Sequence, residues 1–154
     1  MELFKSLSSD HMYVRFSLPA DDAMVYLFPE WSMGAASWKN RDAGMVRVVN
    51  VAAVLQKARC RGTGRAVLKI ADPQIPENNA SFAVAYRDGQ AVRVEKTEET
   101  PDAELPINVF SALISGVCSL DAAVQWMPGV KIFGQKEALE GIFFQKPLLI
   151  CDYF

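Results

Sequence analysis

The chain has 154 residues, of which 51% are hydrophobic and 22% charged, and its 16 basic and 18 acidic residues leave a net charge of −2. That composition is ordinary for a folded domain with a sizeable core, and it excludes recognition of nucleic acid or anionic membrane through bulk positive charge. No run approaches the ~18 apolar residues of a membrane-spanning helix, and the opening MELFKSLSSDHMYVRF lacks a signal-peptide core, which predicts a cytoplasmic protein.

Residues 2–9 read as a short helix with Leu3, Phe4 and Leu7 on one face. Residues 13–18 read as a strand, with Val14, Phe16 and Leu18 alternating against Arg15 and Ser17. Asp21 and Asp22 precede AMVYLF and predict an aspartate-capped helix. Residues 29–44 are polar and irregular, with Trp31 and Trp38 embedded, and predict a linker and a domain boundary. The division expected is residues 1–44 and residues 45–154.

MVRVVN at 45–50 reads as a strand, and Asn50 as the N-cap of a helix over VAAVLQKA, with Val51, Val54 and Leu55 inward. Residues 59–64 form a glycine-containing turn. Then come three strands. Ala66, Leu68 and Ile70 share one face, as do Phe82, Val84 and Tyr86, and then Val92 and Val94. A two-residue Asp88-Gly89 loop would set Val84 opposite Arg93. A three-residue loop over 87–89 pairs Val84 with Val92 and Phe82 with Val94, and is the register expected. An acidic turn at 97–102 leads to a fourth, edge strand at 103–107, with Leu105 and Ile107 inward and Pro106 outward. Asn108 is the expected cap of VFSALISG, with Phe110, Leu113, Ile114 and Val117 as its apolar face and Gly116 as its C-cap. Ser119 opens a second short helix that ends at Pro128-Gly129. Residues 130–133 link it to a third helix over 135–143, with Leu139, Ile142 and Phe143 inward. These elements predict an α+β fold: a mostly antiparallel sheet of about five strands with helices packed on one face.

Chemistry-bearing residues are sparse. Cys60, Cys118 and Cys151 are odd in number and widely spaced, so they read as reduced thiols, with neither a disulfide framework nor a metal site. The run Arg59-Cys60-Arg61-Gly62-Thr63-Gly64 matches the RxxGxG pyrophosphate pattern of acetyl-CoA-dependent acyltransferases. That chemistry needs the turn to follow a strand and open a long helix. Here a helix precedes it and a strand follows, so it reads as a strand-entry turn. His11, the sole histidine, sits beside Ser8, Ser9 and Asp10 and reads as solvated, as do the carboxylates Glu98, Glu99, Asp102 and Glu104 and the cations Lys57, Arg59, Arg61, Arg65 and Lys69. The apolar tail LLICDYF is expected to dock, carrying the α-carboxylate of Phe154 with it. The plainer reading of the tail is that it completes the core; a carboxylate held in a partly buried place is also able to serve as a base.

Three features together carry a resemblance: MVRVVNV followed by a helix at 45–51, Asp72-Pro73-Gln74-Ile75-Pro76-Glu77-Asn78-Asn79 between two strands, and a terminal phenylalanine. They resemble the C-terminal, sterol-carrier-like domain of the enhanced-intracellular-survival family of GNAT N-acetyltransferases. The resemblance covers about residues 45–154, and residues 18–22 with the helix after them are similar to the last elements of the preceding GNAT-like domain. It implies a sterol-carrier-like fold whose partners are GNAT domains of a longer chain, in a hexamer that transfers acetyl from acetyl-CoA to amines. It implies further that Phe154 supplies its terminal carboxylate as the base, that acetyl-CoA binds in the missing first domain rather than in this chain, and that these residues are not active alone. The alternative is a free-standing carrier that holds a hydrophobic ligand between the sheet and the helices at 108–116 and 135–143.

Overall fold

The computed structural model describes residues 45–146 together with Arg15, Leu18 and Leu148. The elements expected at 2–9, 13–18 and 21–28, the linker with Trp31 and Trp38, His11, Cys151 and the tail with Phe154 lie outside the described residues.

Helix α1 spans Val51–Lys57. Asn50 caps it as expected, its side chain accepting from the Ala53 N–H at 2.9 Å. Strand β1 (Gly64–Ala71) follows, then a single 3-10 turn at Pro76–Asn78, then β2 (Ala80–Arg87) and β3 (Gln90–Thr97). Strand β4 (Ala103–Pro106) runs directly into helix α2 (Ile107–Ser115). Helix α3 (Leu120–Trp126), the two-residue strand β5 (Lys131–Ile132) and helix α4 (Lys136–Ile142) complete the described chain.

The five strands form one sheet in the order β3-β2-β1-β4-β5. The β1–β4 pair is parallel and the other pairs are antiparallel, as expected of a mostly antiparallel α+β sheet. Ala66, Leu68, Ile70, Phe82, Val84, Tyr86, Ala103 and Leu105 are buried in one core with Val51, Leu55, Phe110, Leu113, Leu139 and Phe143 from the helices. Phe110 and Phe143 meet edge to face, with centroids 6.1 Å apart and rings at 85°. Each such buried side chain stabilises the fold by roughly 1.5–3 kcal/mol.

Four expectations are corrected. The hairpin between β2 and β3 turns on the two residues Asp88 and Gly89, whose φ values of 52° and 84° are both left-handed. This is the turn whose twist matches the strands. A register shift beyond Tyr86 leaves Val92 without a partner, and Val84 then pairs with Val94, not Val92. The bulge supplies the extra residue that keeps Arg93 away from Val84, and Val92 is left 62% exposed.

Second, residues 45–50 join no strand, and the chain bends at Val49. The Val48 N–H donates to Ser111 Oγ at 3.0 Å, so a helix side chain takes the bond a ladder would have taken. Third, β4 is interior, because residues 130–133 are not a plain linker but contain β5, which takes the edge. Pro106 is tolerated there since β5 reaches only Ala103 and Glu104. Fourth, α2 begins at Ile107 with Pro106 at its N-cap, so Asn108 is an exposed residue within the helix and caps nothing. Pro106 fixes the extended entry and Ile107 is buried, which sets the start two residues earlier than Asn108 suggests. The far end is as expected: Gly116 lies at φ 82°, and the Gly116 and Val117 N–H groups return to Leu113 O and Ala112 O. Ser119 caps α3 through the Ala122 N–H.

Candidate functional site

Two loops bear the residues that the sequence singled out. The first joins β1 to β2. Asp72 is 1% exposed, and its carboxylate accepts from the Gln74 N–H at 3.0 Å, the Ile75 N–H at 3.2 Å, Asn78 Nδ2 at 2.9 Å and Arg47 Nη2 at 2.8 Å. Burial by itself raises a carboxyl pKa. Here the donors from Asn78, Gln74, Ile75 and Arg47 outweigh it and bring the Asp72 carboxyl down to about 2. Asn78 is buried too. Its Oδ1 accepts from the Val51 N–H at 3.1 Å, satisfying the first N–H of α1. Asn79 closes the loop by bonding both the N–H and the C=O of Asp72. The pattern Asp-Pro-x-x-Pro-x-Asn-Asn is thereby explained. Pro76 starts the 3-10 turn, and the acid and amides tie three chain segments into one junction. Every strong acceptor of Asp72 is engaged, so this carboxylate is a structural anchor without a proton to exchange near neutrality.

The second loop, 59–64, enters β1 as a turn and opens no helix, as its surroundings in sequence indicated. It is spliced to the hairpin tip: Arg59 bridges Gln90, the Cys60 N–H reaches Gly89 O at 2.9 Å and the Gly89 N–H reaches Gly62 O at 3.4 Å. It is also held from below. The Arg61 N–H donates to Gly141 O at 2.7 Å, and Tyr86 Oη donates to Ala138 O at 3.0 Å, both on α4. The Tyr86 ring fills a slot between Gly64 and Gly141, where a Cβ on either glycine would overlap its hydroxyl. Beside this slot the Arg61 guanidinium and the Lys146 ammonium each lie 4.4 Å from the centroid of the Phe144 ring. Cys60 is buried, and burial pushes its thiol up, away from nucleophilic use. Cys118 is half-buried and shifted the same way.

The carboxylates of the 97–104 stretch are answered across the open face of the sheet. Glu99 pairs with Arg65, and Glu104 with Lys69 at 2.9 Å and Lys131 at 3.0 Å. These partners hold both acids below their ordinary pKa. Asp102 Oδ2 accepts from the Val67 N–H at 2.8 Å at the point where β1 and β4 diverge. Solvent-facing acids paired with cations are poor general acids, and Arg65 and Lys69, read from sequence as merely solvated, are their partners. Among the described residues no group of three or more His, Cys, Asp or Glu side chains is placed to hold a metal ion.

The space between sheet and helices, where a hydrophobic ligand was considered, is occupied by Phe82, Phe110, Phe143, Leu113, Leu139 and Ile142, each 1% exposed or less. Two shallow depressions among the described residues lie on the surface. One of about 410 Å³ is rimmed by Arg65, Glu99, Asp102 and Gln135, and one of about 310 Å³ lies beside Gln56 and Val92. Both are more polar than apolar. Among the described residues no helix is long and apolar enough to cross a membrane.

Sequence reasoning found the caps Asn50, Gly116 and Ser119 and the 72–79 loop, and misplaced the cap at Asn108. It missed Arg47, Ser111, Tyr86 in its slot, and the meeting of Arg61 with Phe144 and Lys146. The one local signal for the last group was a pair of glycines, Gly64 and Gly141, 77 positions apart by their numbers.

A five-stranded mixed sheet covered on one side by short helices, with its chemistry spent on internal ties, defines an α+β domain of the sterol-carrier kind. A family model of the sterol carrier protein domain matches residues 51–149, and the chain belongs to that family. A search of curated proteins finds no match. Among solved structures, a GCN5-related N-acetyltransferase from Anabaena variabilis superposes with a TM-score of 0.67 at 21% identity, over 83% of this chain and 32% of that one. A conserved protein from Enterococcus faecalis described as a probable N-acyltransferase gives 0.61 at 18% identity, over 70% and 28%. Eis1 from Mycobacterium abscessus gives 0.57 at 19%, over 68% and 26%. The expected likeness to the sterol-carrier-like domain of such acetyltransferases is therefore met at the level of fold. The chain spans about a quarter to a third of the length of these structures.

Proposed function

We propose that this chain serves as the C-terminal sterol-carrier-like domain of an acetyl-CoA-dependent N-acetyltransferase, with residues 1–44 as the trailing elements of a preceding GNAT-like domain. The observation that carries this reading is the shared fold with a minor portion of several acetyltransferases. Acetyl-CoA then binds in the preceding GNAT domains of the same longer chain. This domain shapes the acceptor site and the oligomer, and Phe154 supplies its terminal carboxylate as base. Such a domain is cytoplasmic and is inactive by itself.

The filled core argues for this over the hydrophobic-carrier reading, since a carrier needs room among the side chains that here touch one another. Calorimetric titration of the 154-residue chain with acetyl-CoA, in the presence of excess inorganic pyrophosphate to occupy any general phosphate site, is expected to give no saturable heat. Micromolar binding to the chain alone would overturn the division of labour. In the enzyme that contains the chain, deletion of Phe154 is expected to lower acetyl transfer by about 10²-fold or more, the usual size of general-base catalysis. Unchanged turnover rejects the base role.

A further inference from the structure

Arg47, Arg65, Lys69, Arg93, Lys131 and Lys136 each pair with a carboxylate. Among the described residues Lys57, Arg59, Arg61, Arg87, Lys96 and Lys146 pair with none, and of these Arg61 and Lys146 are brought to one aromatic ring from positions 85 apart in number. Two like charges sharing Phe144 repel each other, and attraction to the ring offsets this only in part. Their positions are nevertheless fixed by the backbone. Arg61 is held by Gly141 O, and Lys146 by its N–H to Gly116 O at 3.3 Å and by Nζ to Ile114 O at 3.4 Å. Burial pushes the Lys146 ammonium pKa down; the neighbouring Cys60 opposes the shift and Arg61 adds to it. Next to Arg61, Gly62 is left-handed at φ 70°, and the space where its side chain would stand is open to 4 Å. The Gly62 and Thr63 N–H groups have no partner among the described residues. A left-handed glycine with free N–H groups beside a cation is how backbone nests receive anions.

We propose that Arg61, the Gly62-Thr63 backbone and Lys146, assembled around Phe144, bind the phosphate group of a small anionic ligand. The RxxGxG run thus acts with a lysine from the far end of the domain and not with a following helix. A phosphate fits better than a single carboxylate because it carries enough charge to answer both cations and enough oxygens to meet the backbone N–H groups as well.

The test is a titration of the ¹⁵N-labelled full chain with inorganic pyrophosphate at fixed ionic strength. Saturable shifts of the Gly62 and Thr63 amides are expected, with affinity falling about tenfold or more in R61Q and in K146Q. Sodium acetate at the same ionic strength is expected to leave these amides in place. Shifts that grow without saturating and spread over all basic surfaces would overturn the site. So would equal binding by both variants, or equal binding of acetate. Thermal unfolding of R61Q and K146Q within 2–3 °C of the parent is expected and confirms that lost binding is not lost folding; if K146Q unfolds lower, because its bond to Ile114 O is gone, R61Q alone decides the outcome.

Discussion

The two loops that the sequence singled out, 72–79 by resemblance and 59–64 by its RxxGxG run, have opposite electrostatic outcomes. In the 72–79 loop one buried carboxylate receives four donors, so the Asp72 charge is answered in full within the fold. In the 59–64 loop the main chain is as firmly held, yet the cation it carries meets a second cation and no acid among the described residues. Density of polar residues in a loop therefore says little about function. What separates the two is whether the charge is answered within the fold. The lesson is physical: a buried charge must be paired to persist, whereas a charge at the rim persists unpaired and remains available.

The contrast breaks most visibly at Asp72. Asp72→Ala removes the common acceptor of Arg47, Asn78 and two backbone N–H groups, and thermal denaturation should show a fall in Tm of roughly 10 °C or more. A loss under 3 °C would mean that the junction is not a unit. Acid reaches the same anchor without mutation. The folded carboxyl lies at about 2, below the ordinary value of 3.8, so its contribution is complete above the ordinary value and is lost as pH falls from about 4 toward 2. Acid unfolding followed by circular dichroism should show this step in the parent and not in Asp72→Asn.

On the other side of the comparison, Gly141→Ala tests how firmly the 59–64 loop is held. The new methyl lands on Tyr86 Oη and 3.0 Å from Arg61 O, so a destabilisation of about 1–3 kcal/mol is expected in urea. Ser111→Ala strips the Val48 N–H of its acceptor while leaving the helix intact, for about 1–2 kcal/mol. It also loosens the segment that brings Arg47 to Asp72. The smallest effect belongs to Arg61→Gln, which should stay within about 0.5 kcal/mol of the parent. A larger loss would show that Arg61 is a structural tie like Asp72, and the distinction between the loops would fall.

The hairpin shows how far local pattern reaches. Alternation along 80–97 places Phe82, Val84, Tyr86 and Val94 on the core side, and they lie there. The pairing was off by two residues, which preserves the faces of Phe82, Val84 and Val94, because side-chain period two does not distinguish registers of equal parity, whereas Val92, expected beside Val94 on the core face, is displaced by the bulge and exposed. Turn type and bulge decided it.

What the sequence by itself determined was the set of local choices: Asn50 and Ser119 as caps, Gly116 as a left-handed stop, the apolar faces of α1, α2 and α4 apart from Val117, which lies past the end of α2 and is exposed, and an α+β order of elements. Each depends on contacts within a few residues, which spacing records. Tertiary structure alone decided the parallel placement of β4 beside β1, the loss of residues 45–50 from the sheet to Ser111, and the meeting of Arg61 with Lys146 on Phe144. Those depend on which distant groups compete for the same hydrogen bond or the same ring, and no spacing in the chain encodes that competition.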